Sequence, residues 1–261
     1  MNKAKERARE ILDLYLNAVR TLDFVRSVIL VGSLSDDTYT GNAGSDIDLV
    51  HIVSDEVDYC FAKKQIAEFI GKVEDATDKD IPIAKVVFQL SHLLHPYSYD
   101  FIPSQENKDL IERPVEVLCI LDSGITVYGE DLIQKIERPT RADVEMTQQL
   151  NAEQLEKLKD TDWYKNEYIK IVAHPTIRMM TQIVLTTAIS EYYYYTEKSC
   201  SSKYYILERV EKECPQITYL SLLRLCHKNR FLPDKITEQD IETMNREYQT
   251  SFRTRPKTWL R

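Results

Sequence analysis

A chain of 261 residues with 43% hydrophobic and 29% charged residues can bury one large core or two modest ones, which excludes extensive disorder. Its 42 acidic side chains outnumber 34 Lys and Arg, and the net charge of -8 argues against a nucleic-acid binder, which needs a basic face. No membrane-crossing helix is expected, because no apolar run reaches the roughly 18 residues that spanning requires. The charged start Met1-Asn2-Lys3-Ala4-Lys5-Glu6-Arg7 does not read as a secretion signal.

Residues 3–22 place Ile11, Leu14 or Tyr15, Ala18 or Val19, and Leu22 at helical spacing, which predicts an amphipathic helix. Ser27-Val28-Ile29-Leu30-Val31 is a β-branched run ending at Gly32, as a buried strand would be. A polar loop over residues 34–45 contains Gly41 and Gly44, and Asp46-Ile47-Asp48-Leu49-Val50-His51-Ile52-Val53 then alternates like a second strand. A helix is predicted over 55–73 and a third strand over 83–90. The stretch from there to about residue 115 is rich in Pro and Tyr and takes no clear assignment. Residues 115–122 fit helix or strand, and Gly124-Ile125-Thr126-Val127-Tyr128-Gly129 a short strand.

The composition then changes. Residues 141–250 contain no glycine and only Pro175, Pro215 and Pro233 as breakers, which predicts a helical second half. The expectation is an α+β domain over 1–140, a mixed sheet flanked by helices, followed by an all-α domain over 141–261. Five widely spaced cysteines (Cys60, Cys119, Cys200, Cys214, Cys226) form no C-x-x-C pair and read as the reduced thiols of a cytoplasmic protein. The five histidines show no metal-type spacing. Tyr192-Tyr193-Tyr194-Tyr195 falls on a predicted helix, so part of it belongs in a core and part on a rim. Arg253, Arg255, Lys257 and Arg261 make a basic tail that either stays solvated or docks on the acidic body.

The chemistry concentrates at Asp46-Ile47-Asp48. Residues two apart on a strand project to the same side, so two carboxylates about 6 to 7 Å apart can share one hard cation. Mg²⁺ suits such a pair, because it binds through one or two carboxylates and completes its shell with substrate phosphates. An isolated Asp-x-Asp is usually the solvated face of a strand, and only its surroundings change that. Here a strand, Gly32-Ser33, a loop and Ser45 precede it. Gly32 lets a phosphate approach the backbone, and Ser33 adds a hydroxyl and an amide donor.

This order resembles the signature of the polymerase β-like nucleotidyltransferases. His95-Pro96-Tyr97-Ser98-Tyr99, the stretch Ser123 to Leu132, Ile183-Val184-Leu185-Thr186-Thr187 and Ser202-Lys203-Tyr204 are similar to the aminoglycoside adenylyltransferases that modify streptomycin and spectinomycin. The resemblance implies Mg²⁺ held by Asp46 and Asp48, an ATP or other nucleotide triphosphate contacted by Gly32, Ser33, Ser45 and Lys203, and AMP transfer to a hydroxyl of a small molecule. An aminoglycoside-type antibiotic is the acceptor it implies, while a protein acceptor stays open and neither nucleic acid nor membrane is expected.

The pattern breaks in two places. The family carries a third carboxylate on the third strand, and aligning on the Pro-Tyr-x-Tyr stretch puts Lys85 there. Asp80, Asp100, Glu112 or Glu116 could substitute, or the protein binds nucleotide without transferring it. The acids expected on the acceptor side are replaced by Met179 and Met180, leaving Asp162, Trp163 and Glu167 upstream as candidates.

Overall fold

The structure, a computed structural model, describes residues 3–41, 45–94, 113–162 and 164–255, with the backbone alone at some helical positions between 113 and 171. Among the described residues, those up to Leu94 together with Val117–Arg138 form one compact unit, and residues 113–116 with those from Pro139 onward belong to a second.

The first unit is built on four strands, β1 (Val25–Val31), β2 (Ile47–Val53), β3 (Ile83–Gln89) and β4 (Ile125–Gly129), in the order β3-β2-β1-β4. β1 runs antiparallel to β2 and β4, and β2 parallel to β3, so the sheet is mixed. The two central strands carry the continuous Val/Ile/Leu runs because both of their faces are covered, whereas the edge strand β4 is half exposed.

Helices α1 (Lys3–Val19) and α2 (Tyr59–Ala76) cover one face. Helix α1 buries Ala8, Ile11, Leu12, Tyr15 and Val19, the stripe that its sequence period predicts, against Val28, Leu30, Ile47, Leu49 and Val87 of the sheet. Asp58 caps α2 by accepting from the Phe61 amide at 2.8 Å. The other face buries Ile29, Val50, Ile52 and Phe88 against α3 (Leu90–Leu94), α4 (Arg113–Ser123) and the Leu132 to Ile136 segment. The ambiguous run over 115–122 is therefore helix, with Val117 and Ile120 facing the sheet. His51, central in β2, is wholly buried, where the Tyr15 hydroxyl meets its Nε2 at 2.6 Å.

The second unit is helical: α5 (Arg141–Leu158), α6 (Ile169–Ala173), α7 (Ile177–Thr196), α8 (Ile206–Glu213), α9 (Leu220–Phe231) and α10 (Glu238–Glu247). Thr140 with Asp143, and Thr237 with Asp240, form capping boxes that start α5 and α10. α7 is central to the core, packing Val184, Leu185, Ala188 and Tyr192 against α8, α9 and α10. Three of the four consecutive tyrosines, Tyr192 to Tyr194, are buried, and Tyr195 is half-buried. Tyr193 donates to the Pro139 carbonyl, while Tyr194 accepts from the Arg141 guanidinium at 3.0 Å. Of the basic tail, Arg255 is docked: its Nε meets buried Glu191 at 3.1 Å, and Tyr219 donates to the other carboxylate oxygen at 2.9 Å. No helix among the described residues is long and apolar enough to cross a membrane.

Candidate active site

The pairing of β1 with β2 ends where Val31 stands opposite Asp48. The chain then turns at Gly32, whose φ of +73° lies in the left-handed region, into a short 3-10 turn, Gly32–Leu34. A Cβ on Gly32 would overlap an Asp48 carboxylate oxygen and lie 3.1 Å from its Cγ. Glycine is thus required twice, for the turn and for the carboxylate lying over it. The turn is closed by bonds to the Gly32 carbonyl from the Ser35 and Asp36 amides, both at 3.1 Å, and from the Ser35 hydroxyl at 2.8 Å.

Ile47 is fully buried under the sheet, so Asp48 projects to the opposite face, with Val50 and Ile52. Asp46 stands one residue before the strand, and the Ile47 amide, bonded to the Pro82 carbonyl at 2.9 Å, carries the pairing with the β3 side up to it. Ser33, Ser45, Asp46 and Asp48 are each half-buried, open enough for a ligand to reach. The first unit therefore gathers Gly32, Ser33, Asp46 and Asp48 at one end of β1 and β2, with Ser45 adjoining. Lys203 belongs to the second unit, half-buried in the turn before α8.

The sheet register corrects the reading of Lys85. On the parallel pair, Lys85 is level with Leu49, and Ala84 with Asp48. Level partners share a face, so Lys85 lies on the α1 side, away from Asp48. Its charge is felt instead at His51, helping to lower that imidazole's pKa. What stands on the Asp48 face of β3 is Ala84 and Val86. Asp80, proposed above as a substitute acid, is engaged by Arg7 of α1 through bonds of 3.2 and 3.1 Å. Asp100, Glu112 and the side chain of Glu116 lie outside the described residues, as do His95 to Tyr99, Trp163 and the Glu167 side chain. Asp162 is exposed, Met179 is exposed and Met180 is core.

Sequence reasoning passed over Tyr39. It is buried, although it sits in a polar loop, and burial followed by the negative charge of Asp46 raises its hydroxyl pKa. An aromatic residue flanked by Thr38 and Thr40 in the Gly-poor part of that loop was the available signal. Among the described residues no group of three or more His, Cys, Asp or Glu side chains is gathered as a metal cluster. Two carboxylates beside a glycine are instead a donor set that leaves coordination positions for a ligand's own oxygens. That fits a Mg²⁺ ion shared with phosphates and does not fit a closed structural site.

No protein-family model and no curated protein matches the chain. Among solved structures, the chain is similar to the spectinomycin adenyltransferase AAD(9) from Enterococcus faecialis, crystallised with ATP and spectinomycin. The TM-score is 0.53 at 16% identity, over 94% of this chain and 99% of that one. A toxin-antitoxin MntA-HpeT mutant also matches, with a TM-score of 0.29 at 16% identity over 57% of this chain and 95% of that one. The AAD(9) match, spanning nearly the whole of both chains, shows the fold: this chain has an α+β, nucleotidyltransferase-like fold resembling that of the aminoglycoside adenylyltransferases.

Proposed function

We propose that the chain is a Mg²⁺-dependent nucleotidyltransferase that moves AMP from ATP to a hydroxyl of a small molecule. The observation that carries this reading is the seating of Asp48 directly over Gly32, at the point where the first two strands separate. A nucleotidyltransferase-like fold makes that seating informative, and the presence of ATP and spectinomycin in the AAD(9) crystal structure supports ATP and an aminocyclitol as the first ligands to try.

Asp46 and Asp48 would hold the ion, which when bound offsets negative charge on the phosphate oxygens. Gly32, without a side chain, leaves the triphosphate free to approach the backbone, and the Ser33 hydroxyl and amide donate to it. Ser45 adds a hydroxyl donor. The acceptor oxygen forms a bond to the α-phosphorus as the bond to pyrophosphate breaks, and the hydroxyl proton is released to solvent. Positioning of the two reactants is the chain's main contribution to such a step. The absence of a disulfide at any of the five cysteines suits a reducing compartment such as the cytoplasm.

A second reading is favoured by one observation. Ala84 and Val86 stand on the β3 face beside Asp48, where neither can take a proton. General base assistance is worth roughly 10² to 10⁴ in rate, so a chain without it could bind nucleotide and turn over little. Incubation with MgATP and a panel of aminocyclitols and aminoglycosides, with pyrophosphate release and acceptor mass as readouts, separates the readings. Adenylylated product abolished by Asp48→Asn supports the transferase. Nucleotide binding without product from any acceptor supports the binding protein.

A further inference from the structure

The last pair of the β1/β2 ladder is Val31 with Asp48; Ser33 lies beyond that pair, and so does Asp46, which is anchored from the β3 side through the Ile47 amide. Those two are joined by the loop, and the described part of the loop is fastened to α1. Lys5 forms an ion pair with Asp37, and although Asp37 is exposed, the Lys5 side chain is only 17% exposed. Asp37 itself has a φ of +69°, unusual for a residue with a side chain and tolerated best by Asn and Asp. Four residues further on, Gly41 has a φ of +71°, and a Cβ there would overlap the Ala4 side chain. Between them Tyr39 is sunk into the core that α1 builds under the sheet, with Ala4 packed against the same cluster. Upstream, Asp36 accepts from the Thr38 amide at 3.0 Å and its hydroxyl at 2.6 Å, so the segment from Gly32 to Gly41 is tied at each step.

We propose that the first turn of α1 is a positioning element of the candidate active site: Ala4 and Lys5 hold residues 36–41 from behind and so set where Ser33 and Asp46 stand relative to Asp48. This rests on the nucleotide reading given above. Lys5 and Ala4 touch no ligand under it; they act through the loop. Strained residues held by surrounding contacts are a frequent way to preorganise a site, and Asp37 is such a residue.

The test compares wild type with Lys5→Met, which keeps the buried stem and removes the charge, and with Lys5→Arg, which restores it. Amide exchange of residues 36–41 reads the loop, and titration with Mg²⁺ and α,β-methylene ATP reads the site. For a partly exposed ion pair, Lys5→Met is expected to speed loop exchange and weaken nucleotide affinity by about three- to fivefold each, with the unfolding midpoint little changed. Lys5→Arg is expected to recover both. Unchanged loop exchange in Lys5→Met would overturn the brace. Faster exchange with wild-type affinity would overturn its positioning role. Failure of wild type itself to bind nucleotide overturns the nucleotide reading, and the positioning role falls with it; only the wild-type titration reports that outcome.

Discussion

Gly32 concentrates two demands on one hydrogen atom. Its φ is left-handed, and the Asp48 carboxylate occupies the space a side chain would take. Gly32→Ala is therefore expected to cost on the order of 2 kcal/mol in stability. It should also displace Asp48, so nucleotide affinity should fall by more than the stability loss accounts for. Calorimetric unfolding and a binding titration on the same preparation check both. A second residue-scale prediction concerns His51. Burial, and to a smaller degree Lys85, lowers its pKa from 6.5 to about 4, partly offset by the bond to the Val86 carbonyl. The folded state thus holds fewer protons than the unfolded one, and the stability this contributes is present above pH 6.5 and lost as pH falls towards 4. The span amounts to about 3 kcal/mol. The difference in denaturation free energy between wild type and His51→Gln, followed from pH 7 to 4, should fall by that order. A flat difference would mean that His51 takes up its proton in the folded protein as readily as in the unfolded one.

Elements show where reading the sequence worked and where it could not. The runs ending at Val31 and beginning at Ile47 declared two strands because both central strands are covered on both faces, and the signature between them marked their ends. The run over 115–122 could not declare itself, since a short apolar stretch buried on one side fits either period; only its packing on the sheet decides for helix. Lys85 shows a different limit. Counting along β3 sorts its residues into two faces, but which face meets Asp48 depends on register with β2, and one residue of slip exchanges the faces. His51 and Glu191 were also beyond reach, because burial of a polar side chain is settled by partners distant in sequence. Glu191 gives the prediction for this scale. Its carboxylate is held in the helical core by Arg255 and Tyr219, and burial outweighs both partners in raising its pKa. Arg255→Ala removes the balancing charge and is expected to cost about 3 kcal/mol at pH 7. Because Glu191 then titrates still higher, that cost should shrink as pH falls, which chemical denaturation at pH 7 and pH 5 would reveal. An equal cost at both would show that Arg255 acts through packing on Phe252 and Tyr219 alone.

The whole molecule joins an α+β unit to a helical unit, and the helical character of the second was expected from the absence of glycine over residues 141–250. The two units have separate cores, and the thiols report on them. Cys60 is exposed on α2, while Cys200, Cys214 and Cys226 lie in the helical core. Burial pushes Cys214 up to about 11 and Cys226 up to about 12, so little thiolate is present at neutral pH. Iodoacetamide followed by peptide mass analysis is expected to label Cys60 first. The three core thiols should react only as the helical unit unfolds, and their early labelling would contradict the burial described. The central claim is the metal and nucleotide site at Asp46 and Asp48. Isothermal titration with a non-hydrolysable ATP analogue and Mg²⁺, on wild type and the Asp46→Asn/Asp48→Asn double variant, tests it most directly. Binding that requires Mg²⁺ and disappears in the double variant is the predicted result; binding that survives in the double variant, or is indifferent to Mg²⁺, would contradict it.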